Sequence, residues 1–382
     1  NLNKIFFLIW ANPSSHQVIL PIIRSFSKIS KIYLFSSSSK SIELLDKKDS
    51  KYSKYCKHKK IPFFENQNFI NKLSLIYFLI ISFFYILLNK PKYVYIIDKY
   101  PLILTFFIKL FLKTKIIYHN LDYEPIAEGL FQKIIKRIEL RSVQYLDLLI
   151  FSHNMRAKKF FKDSKIKKKF IIFYNSLPTD YYKKYENKYL KNTKKKIIFY
   201  FGSIGPGHGL FDLIKSAKFL DNNLTLEIYG WVVDDNFYSR IHKFIKKNNL
   251  DKKITIKLNV KDFVWKSKMM NAQLGVALYE IKSLSHKFMF PASQKINAYL
   301  AACLPVLVSN TKDNKKFLAN YKCGVSTHLN SKLIAKNINL IFRNKKFYKS
   351  LKKNSKNAFL SEFNFEKQFK KIRDKINLHA NR

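Results

Sequence analysis

A chain of 382 residues is longer than one hydrophobic core usually grows, so two domains are expected, and 47% hydrophobic residues with 35 Phe and 23 Tyr exclude a disordered basic protein. Its 72 Lys and Arg against 25 Asp and Glu give a formal charge of +47, which draws it toward polyanions: headgroups, nucleic acid or phosphorylated ligands. Lys, Asn, Ile and Phe recur so evenly that compositional bias accounts for part of that charge, and charge alone does not make a nucleic-acid binder.

The opening segment NLNKIFFLIWANP lacks the pattern of a secretory signal and reads as a β-strand. The first half then alternates short apolar runs with longer amphipathic ones, the pattern of a parallel sheet covered by helices. Its expected strands are KIFFLIW, KIYLFS, YVYII, TKIIYH, DLLIFS and FIIFYN, and a helix is expected over Ile126–Leu146. Lys183–Lys196 is Lys-rich, poor in apolar residues, and reads as a linker. The alternation then restarts with KIIFYFG, LTLEIYG, KITIKL, QLGVALY and LPVLVS, separated by helices starting near Leu210, Asn236, Lys261, Ser293 and Asp313. The expected fold class is α/β, two Rossmann-like doubly wound parallel-sheet domains facing a central cleft, where ligands of such sheets bind.

Leu73–Leu88 is a run of 16 residues without charge, flanked by Lys72 and Lys90. A membrane span usually takes about 20 apolar residues, so a buried helix covering the sheet is the favoured reading over a span. A third possibility is that this helix and Pro101–Lys113 dip into a membrane interface. The cysteines, Cys56, Cys303 and Cys323, have no CxxC spacing, so neither a disulfide framework nor a metal site is expected and a reducing cytoplasm fits.

Three segments could carry chemistry. Tyr200–Ala217 runs from a strand through Gly202, Gly205, Gly207 and Gly209 into a helix, a turn in which backbone N–H groups can approach an anion. Its spacing fits neither the dinucleotide fingerprint nor the P-loop, and a plain tight turn is the alternative. In Phe290–Asn310, Ser293 is a natural N-cap, and Lys295 in the first turn opposes the helix dipole unless it meets an anion; a solvated lysine is the alternative. In Ile116–Pro125 a strand ends with His119, Asp122 and Glu124 close behind, where polar residues face a ligand cleft, although Asp122 could simply cap the next helix.

In this order the segments resemble the retaining glycosyltransferases of family 4, also called group 1, which have the GT-B fold. YHNLDYEP resembles the family's His-containing segment, and LDLLIFSHNMRAKKF with FIIFYNSLP its closing elements of the first domain. YFGSIGPGHGL resembles the glycine turn, with His208 where Lys or Arg is usual; LEIYGW and NAQLGVALYE resemble the strands that follow. PASQKINAYLAACLPVLVSN is similar to a Ser-x-Lys form of the donor-site helix. Two Glu that many members carry there fall on Phe290 and Ala298, and a usual Gly on Cys303.

The resemblance implies an acceptor-binding domain over residues 1–182, a nucleotide-sugar domain over 183–360, and a C-terminal helix, 361–382, packing back on the first domain. It implies donor binding by Gly202, Ser203, Gly205, Gly207, His208, Gly209, Gly230, Tyr279, Ser293 and Lys295, catalytic roles for His119 and Lys295, and acceptor-side roles for Asp122 and Glu124. No cofactor and no metal are expected, because no Asp-x-Asp pair stands in a matching place. The implied partners are a UDP- or GDP-sugar donor, a lipid-linked or envelope saccharide acceptor and an anionic membrane surface, with no specific nucleic acid. The place implied is the cytoplasm, peripheral on the inner membrane face. A sugar-nucleotide epimerase of the same fold and a catalytically silent assembly partner are the alternatives.

Overall fold

The structure is a computed structural model that describes residues 3–39, 50–63, 68–123, 127–181, 195–281, 284–290 and 292–376. Contacts divide the chain into two compact units, Asn1–Tyr174 with Phe369–Arg382 and Asn175–Gln368.

The first unit holds strands β1 (Lys4–Ile9), β2 (Lys31–Ser39), β3 (Lys57–Phe63), β4 (Tyr93–Ile97), β5 (Lys115–Asn120), β6 (Leu148–Phe151) and β7 (Phe170–Ile172). They form one sheet in the order β3-β2-β1-β4-β5-β6-β7, and all neighbours are parallel. Strands buried on both faces read as continuous apolar runs, as YVYII does. The order reverses between β1 and β4, so the crevice of this unit opens beyond Ile9 and Ile97. β3 was missed because KHKKIPF is basic; as an edge strand paired only with β2 it can carry lysines that a central strand could not.

The second unit holds β8 (Lys196–Ile204), β9 (Leu224–Val232), β10 (Ile254–Leu258), β11 (Leu274–Ala277), β12 (Val306–Ser309) and β13 (Gly324–Thr327). Their order is β10-β9-β8-β11-β12-β13, again parallel throughout. β13 went unread because four residues, GVST, carry too little pattern. β8 and β11 are paired only at Leu274↔Ile198 and Gly275↔Phe199. Beyond that point Tyr299 bridges them, its hydroxyl lying 3.3 Å from the Phe199 carbonyl and 3.1 Å from that of Val276. Gly275 makes room for the ring, since a Cβ there would stand 2.3 Å from Tyr299.

The helix expected over Ile126–Leu146 runs over Leu130–Ser142 and tightens into a single turn at Val143–Tyr145; Ile126 lies outside the described residues. The linker reading, apart from Lys195 and Lys196, also falls outside them; Lys196 already starts β8. The uncharged run belongs to a longer helix, Asn68–Asn89, whose inner face covers the sheet: Phe78 meets Trp10 edge-on at 5.2 Å and Tyr85 meets Phe35 at 5.4 Å. The expectation of a buried helix holds for that face only, because Phe69, Leu73, Ile76, Ile80 and Phe84 are exposed. The last helix, Phe365–Ile376, starts in the second unit and ends in the first, where Tyr93 donates to the Ile376 carbonyl at 2.8 Å and Phe369 packs on Phe26.

Candidate functional site

In the second unit the strands separate at the switch point, and several expected residues converge there. β8 carries Tyr200, Gly202 and Ser203 to its end, and the turn that follows brings Gly205, Gly207, His208 and Gly209 to the start of the helix Leu210–Ser216. Gly209 caps that helix in the left-handed conformation, φ 56°, with a Cβ position only 2.8 Å from Leu278 Cβ, so glycine is required twice over. Gly230 lies on β9 beside Gly202, whose carbonyl would stand 1.9 Å from an added Cβ, so glycine there permits the close approach of the two strands.

Ser293 is the N-cap of the helix Gln294–Ala301, its side chain accepting from the Ile296 N–H. Its Oγ is 3.2 Å from the Tyr279 hydroxyl, and Tyr279 is held in turn by Ser309, whose Oγ accepts from the Tyr279 N–H at 2.6 Å and donates to its carbonyl at 3.1 Å. Asn175 donates to the Ala292 carbonyl at 2.7 Å and Asn297 to that of Ser293 at 2.9 Å, which holds the segment before the helix in place.

Lys295 is buried. Its Nζ donates to the Tyr200 hydroxyl at 3.1 Å, stands 4.2 Å above that ring and 5.2 Å from the Tyr279 ring, and its stem lies on Gly202. Among the described residues no carboxylate forms an ion pair with it. Burial alone brings its pKa down from 10.5 to about 7. Beside it His208 is pushed down to about 3, first by burial and then by Lys295 and His286. Its ring meets Tyr279 and His286 edge-on, each at 5.6 Å, and its buried Nδ1 has no hydrogen-bond partner. His208 is thus held neutral beside a lysine whose charge burial disfavours, and both would gain from a nearby anion.

Four participants were not anticipated. Tyr200 and Ser309 hold Lys295 and Tyr279. Glu280 accepts from the Gly207 N–H at 3.2 Å, and His286 Nδ1 lies 2.9 Å from the Glu280 carbonyl oxygen. Glu280 could have been suspected, since it follows the QLGVALY run and polar residues beyond a strand's carboxyl end face the crevice. Nothing in the sequence marks His286.

In the first unit His119 is the penultimate residue of β5, but it is fully buried rather than presented at an open edge. Its Nδ1 is 2.9 Å from the Tyr95 hydroxyl, Phe173 packs on its ring at 5.3 Å, and Nε2 is buried without a partner. Burial, then His16, lowers its pKa to about 3, so it is neutral. Among the described residues Asp122 caps no helix; Arg156 Nη1 pairs with it at 2.7 Å. Glu124 lies outside the described residues. Phe290 and Ala298 are buried, Phe290 stacked on Phe317 at 3.6 Å, so these two positions are apolar core. Among the described residues no cluster of His, Cys, Asp or Glu could hold a metal ion.

Residues 182–358 match the profile of the family described as glycosyl transferases group 1. No curated protein matches the chain in sequence. Among solved structures it is similar to Alr3699/HepE from Anabaena, determined with UDP and glucose, at 12% identity and a TM-score of 0.76 over 98% of this chain and 99% of that one. A glycosyltransferase from Rickettsia africae ESF-5 superposes with a TM-score of 0.75 at 15% identity over 100% of both chains. WaaG, a glycosyltransferase involved in lipopolysaccharide biosynthesis, does so with 0.66 at 11% identity over 97% of this chain and 99% of that one. The chain therefore has the GT-B fold of these structures over its whole length, and the part of it that resembles group 1 glycosyltransferases in sequence lies within its second unit.

Proposed function

We propose that the second unit binds the diphosphate of a UDP- or GDP-sugar in the crevice between β8 and β11, and that the protein transfers the sugar, with retention, to a lipid-linked or cell-envelope saccharide. The observation that carries this reading is Lys295, a buried lysine with no carboxylate in ion-pair range among the described residues, held low by burial at the switch point of a parallel sheet. Breaking the anomeric bond places negative charge on the departing diphosphate, and a preorganised cation with a hydroxyl beside it stabilises that charge as it grows. Lys295 supplies the cation, and Ser293 a hydroxyl at the start of the same helix. The neighbour solved with UDP and UDP-glucose supports a nucleotide-sugar donor, and the lipopolysaccharide role of WaaG supports an envelope acceptor. We assign His119 to the donor sugar from its motif; its partnerless Nε2 supports that reading.

The test is calorimetric titration with UDP and GDP, followed by a panel of labelled donors supplied with membrane lipid extract. Binding of one nucleotide and labelled lipid product are expected. Epimerised donor without transfer would replace the reading with the epimerase, and binding without turnover would replace it with a silent assembly partner. Failure of both nucleotides to bind would remove the donor site.

A further inference from the structure

The helix Asn68–Asn89 is apolar on two opposite faces, and the sheet needs only one of them. Leu75, Phe78, Leu79 and Ile86 are buried on the inner side. On the outer side Phe69, Leu73, Ile76, Tyr77, Ile80 and Phe84 recur at spacings of three and four, and Phe69 is 72% exposed. The neighbouring helix, Thr105–Phe111, extends this face: Phe83 packs on Phe107 and on Phe111, each at 6.1 Å, while Leu110 and Phe111 stay 62% and 60% exposed. Contiguous apolar surface of this extent marks an interaction site.

Charge selects the occupant. Between residues 68 and 121 the chain carries seven lysines, at 72, 90, 92, 99, 109, 113 and 115, and one carboxylate, Asp98; Lys109 is paired with Asp147, which leaves six against one. Lys72 sits one turn from both Phe69 and Ile76; Lys90 follows the first helix directly and Lys113 follows the second closely, all three exposed. A second copy of the same face would bring like charges together. A headgroup layer of anionic lipid would neutralise the lysines while the acyl boundary took the aromatic and aliphatic side chains.

We propose that this face of the first unit docks on anionic bilayers, with the helix Asn68–Asn89 lying in the plane of the interface. Twenty-two residues would suffice to cross a hydrocarbon core of about 30 Å. A crossing would strip Phe78 from Trp10 and Tyr85 from Phe35 and expose the sheet, whereas in-plane docking keeps the inner face where it is. The inference does not rest on the donor reading, since it concerns the first unit alone and needs no nucleotide.

The test is sedimentation of the full chain, without nucleotide, with vesicles of equimolar phosphatidylcholine and phosphatidylglycerol and with phosphatidylcholine alone. The expected result is binding to the anionic vesicles at low salt, release by molar salt, and weak binding to the neutral ones. Exchanging Phe69, Ile76, Ile80 and Phe84 for Ser should lower the bound fraction's partition coefficient at least about tenfold. The same number of exchanges at Phe263, Leu333, Leu340 and Leu360, exposed residues of the second unit, should leave it unchanged. Lys72→Gln, Lys90→Gln and Lys113→Gln combined should flatten the salt dependence. The proposal is overturned if the parent stays in solution with anionic vesicles, if the outer-face variant binds within about twofold of the parent, or if both four-site variants lose binding alike. Extraction by detergent but not by alkaline carbonate would show a span and overturn the in-plane arrangement, and self-association through this face in place of vesicle binding would assign it to a second copy.

Discussion

Replacing Lys295 with Met removes the buried amine while keeping an unbranched apolar stem on Gly202 and against Tyr200. With a pKa of about 7, roughly one Lys295 in ten is charged at about pH 8 in the empty protein. A bound diphosphate favours the charged form and raises that pKa, so binding takes up close to one proton there. The affinity of the parent for UDP or GDP should therefore fall by nearly tenfold for each pH unit above about 7.5, while the Met variant should show no such slope. At about pH 7 a charge-assisted contact of about 1.5–3 kcal/mol corresponds to binding weakened roughly ten- to a hundredfold in the variant. Calorimetric titration across that range is the assay. A variant within about twofold of the parent, a difference of only about 0.4 kcal/mol, or one with the same pH slope, refutes the reasoning. Misfolding is not the expected confounder. The folded pKa lies below the unfolded value, so the unfolded chain holds more protons between about pH 7 and 10.5, and the stability lost to this lysine is greatest at low pH and recovered as pH rises. The limit set by that displacement is on the order of 5 kcal/mol, so the Met variant should be the more stable protein at neutral pH, with an advantage that shrinks toward about pH 10.

Gly202→Ala places a methyl 2.7 Å from Lys295 Cε at a φ of 128° and should displace the amine, weakening nucleotide affinity roughly tenfold with a lower melting temperature; unchanged affinity would separate Lys295 from the ligand. Cys303 ends the helix Gln294–Ala301 at φ 56°, its N–H bonded to the Leu300 carbonyl and that of Leu304 to Tyr299, the closing pattern that favours glycine. Cys303→Gly should gain about 1 kcal/mol and raise the melting temperature by roughly 2–4 °C in a scanning melt; no rise would show that the left-handed cysteine is not strained. His119→Ala should reduce kcat far more than donor affinity, and because His119 is neutral down to about pH 3, the parent's kcat should show no inflection from it at neutral pH; equal kcat would leave His119 a core residue held by Tyr95.

Strand and helix alternation determined the fold class by itself. Short β-branched and aromatic runs such as KIFFLIW and KIIFYFG, alternating with longer amphipathic stretches, read as strands buried on both faces, and the crossovers between parallel strands leave few arrangements. The glycine turn and the Ser293 cap were also legible, because φ above zero and an N-terminal oxygen are local requirements that few residue types meet. The lysine at 295 could be read as misplaced, but not as buried: its surroundings come from Tyr200 and Gly202, far away in the chain. Tyr299 and Gly275 show the same limit, since one hydroxyl bridging two strands where their pairing ends exists only once β8 and β11 are neighbours. His119 was expected at an open strand end, and packing by Tyr95 and Phe173 enclosed it instead. For the helix Asn68–Asn89, composition announced apolar character all round, but only the sheet decided which face was covered and which was left for a partner. Local geometry is written in neighbouring residues, whereas burial, pKa and exposed surface are set by residues that folding brings together from distant parts of the chain.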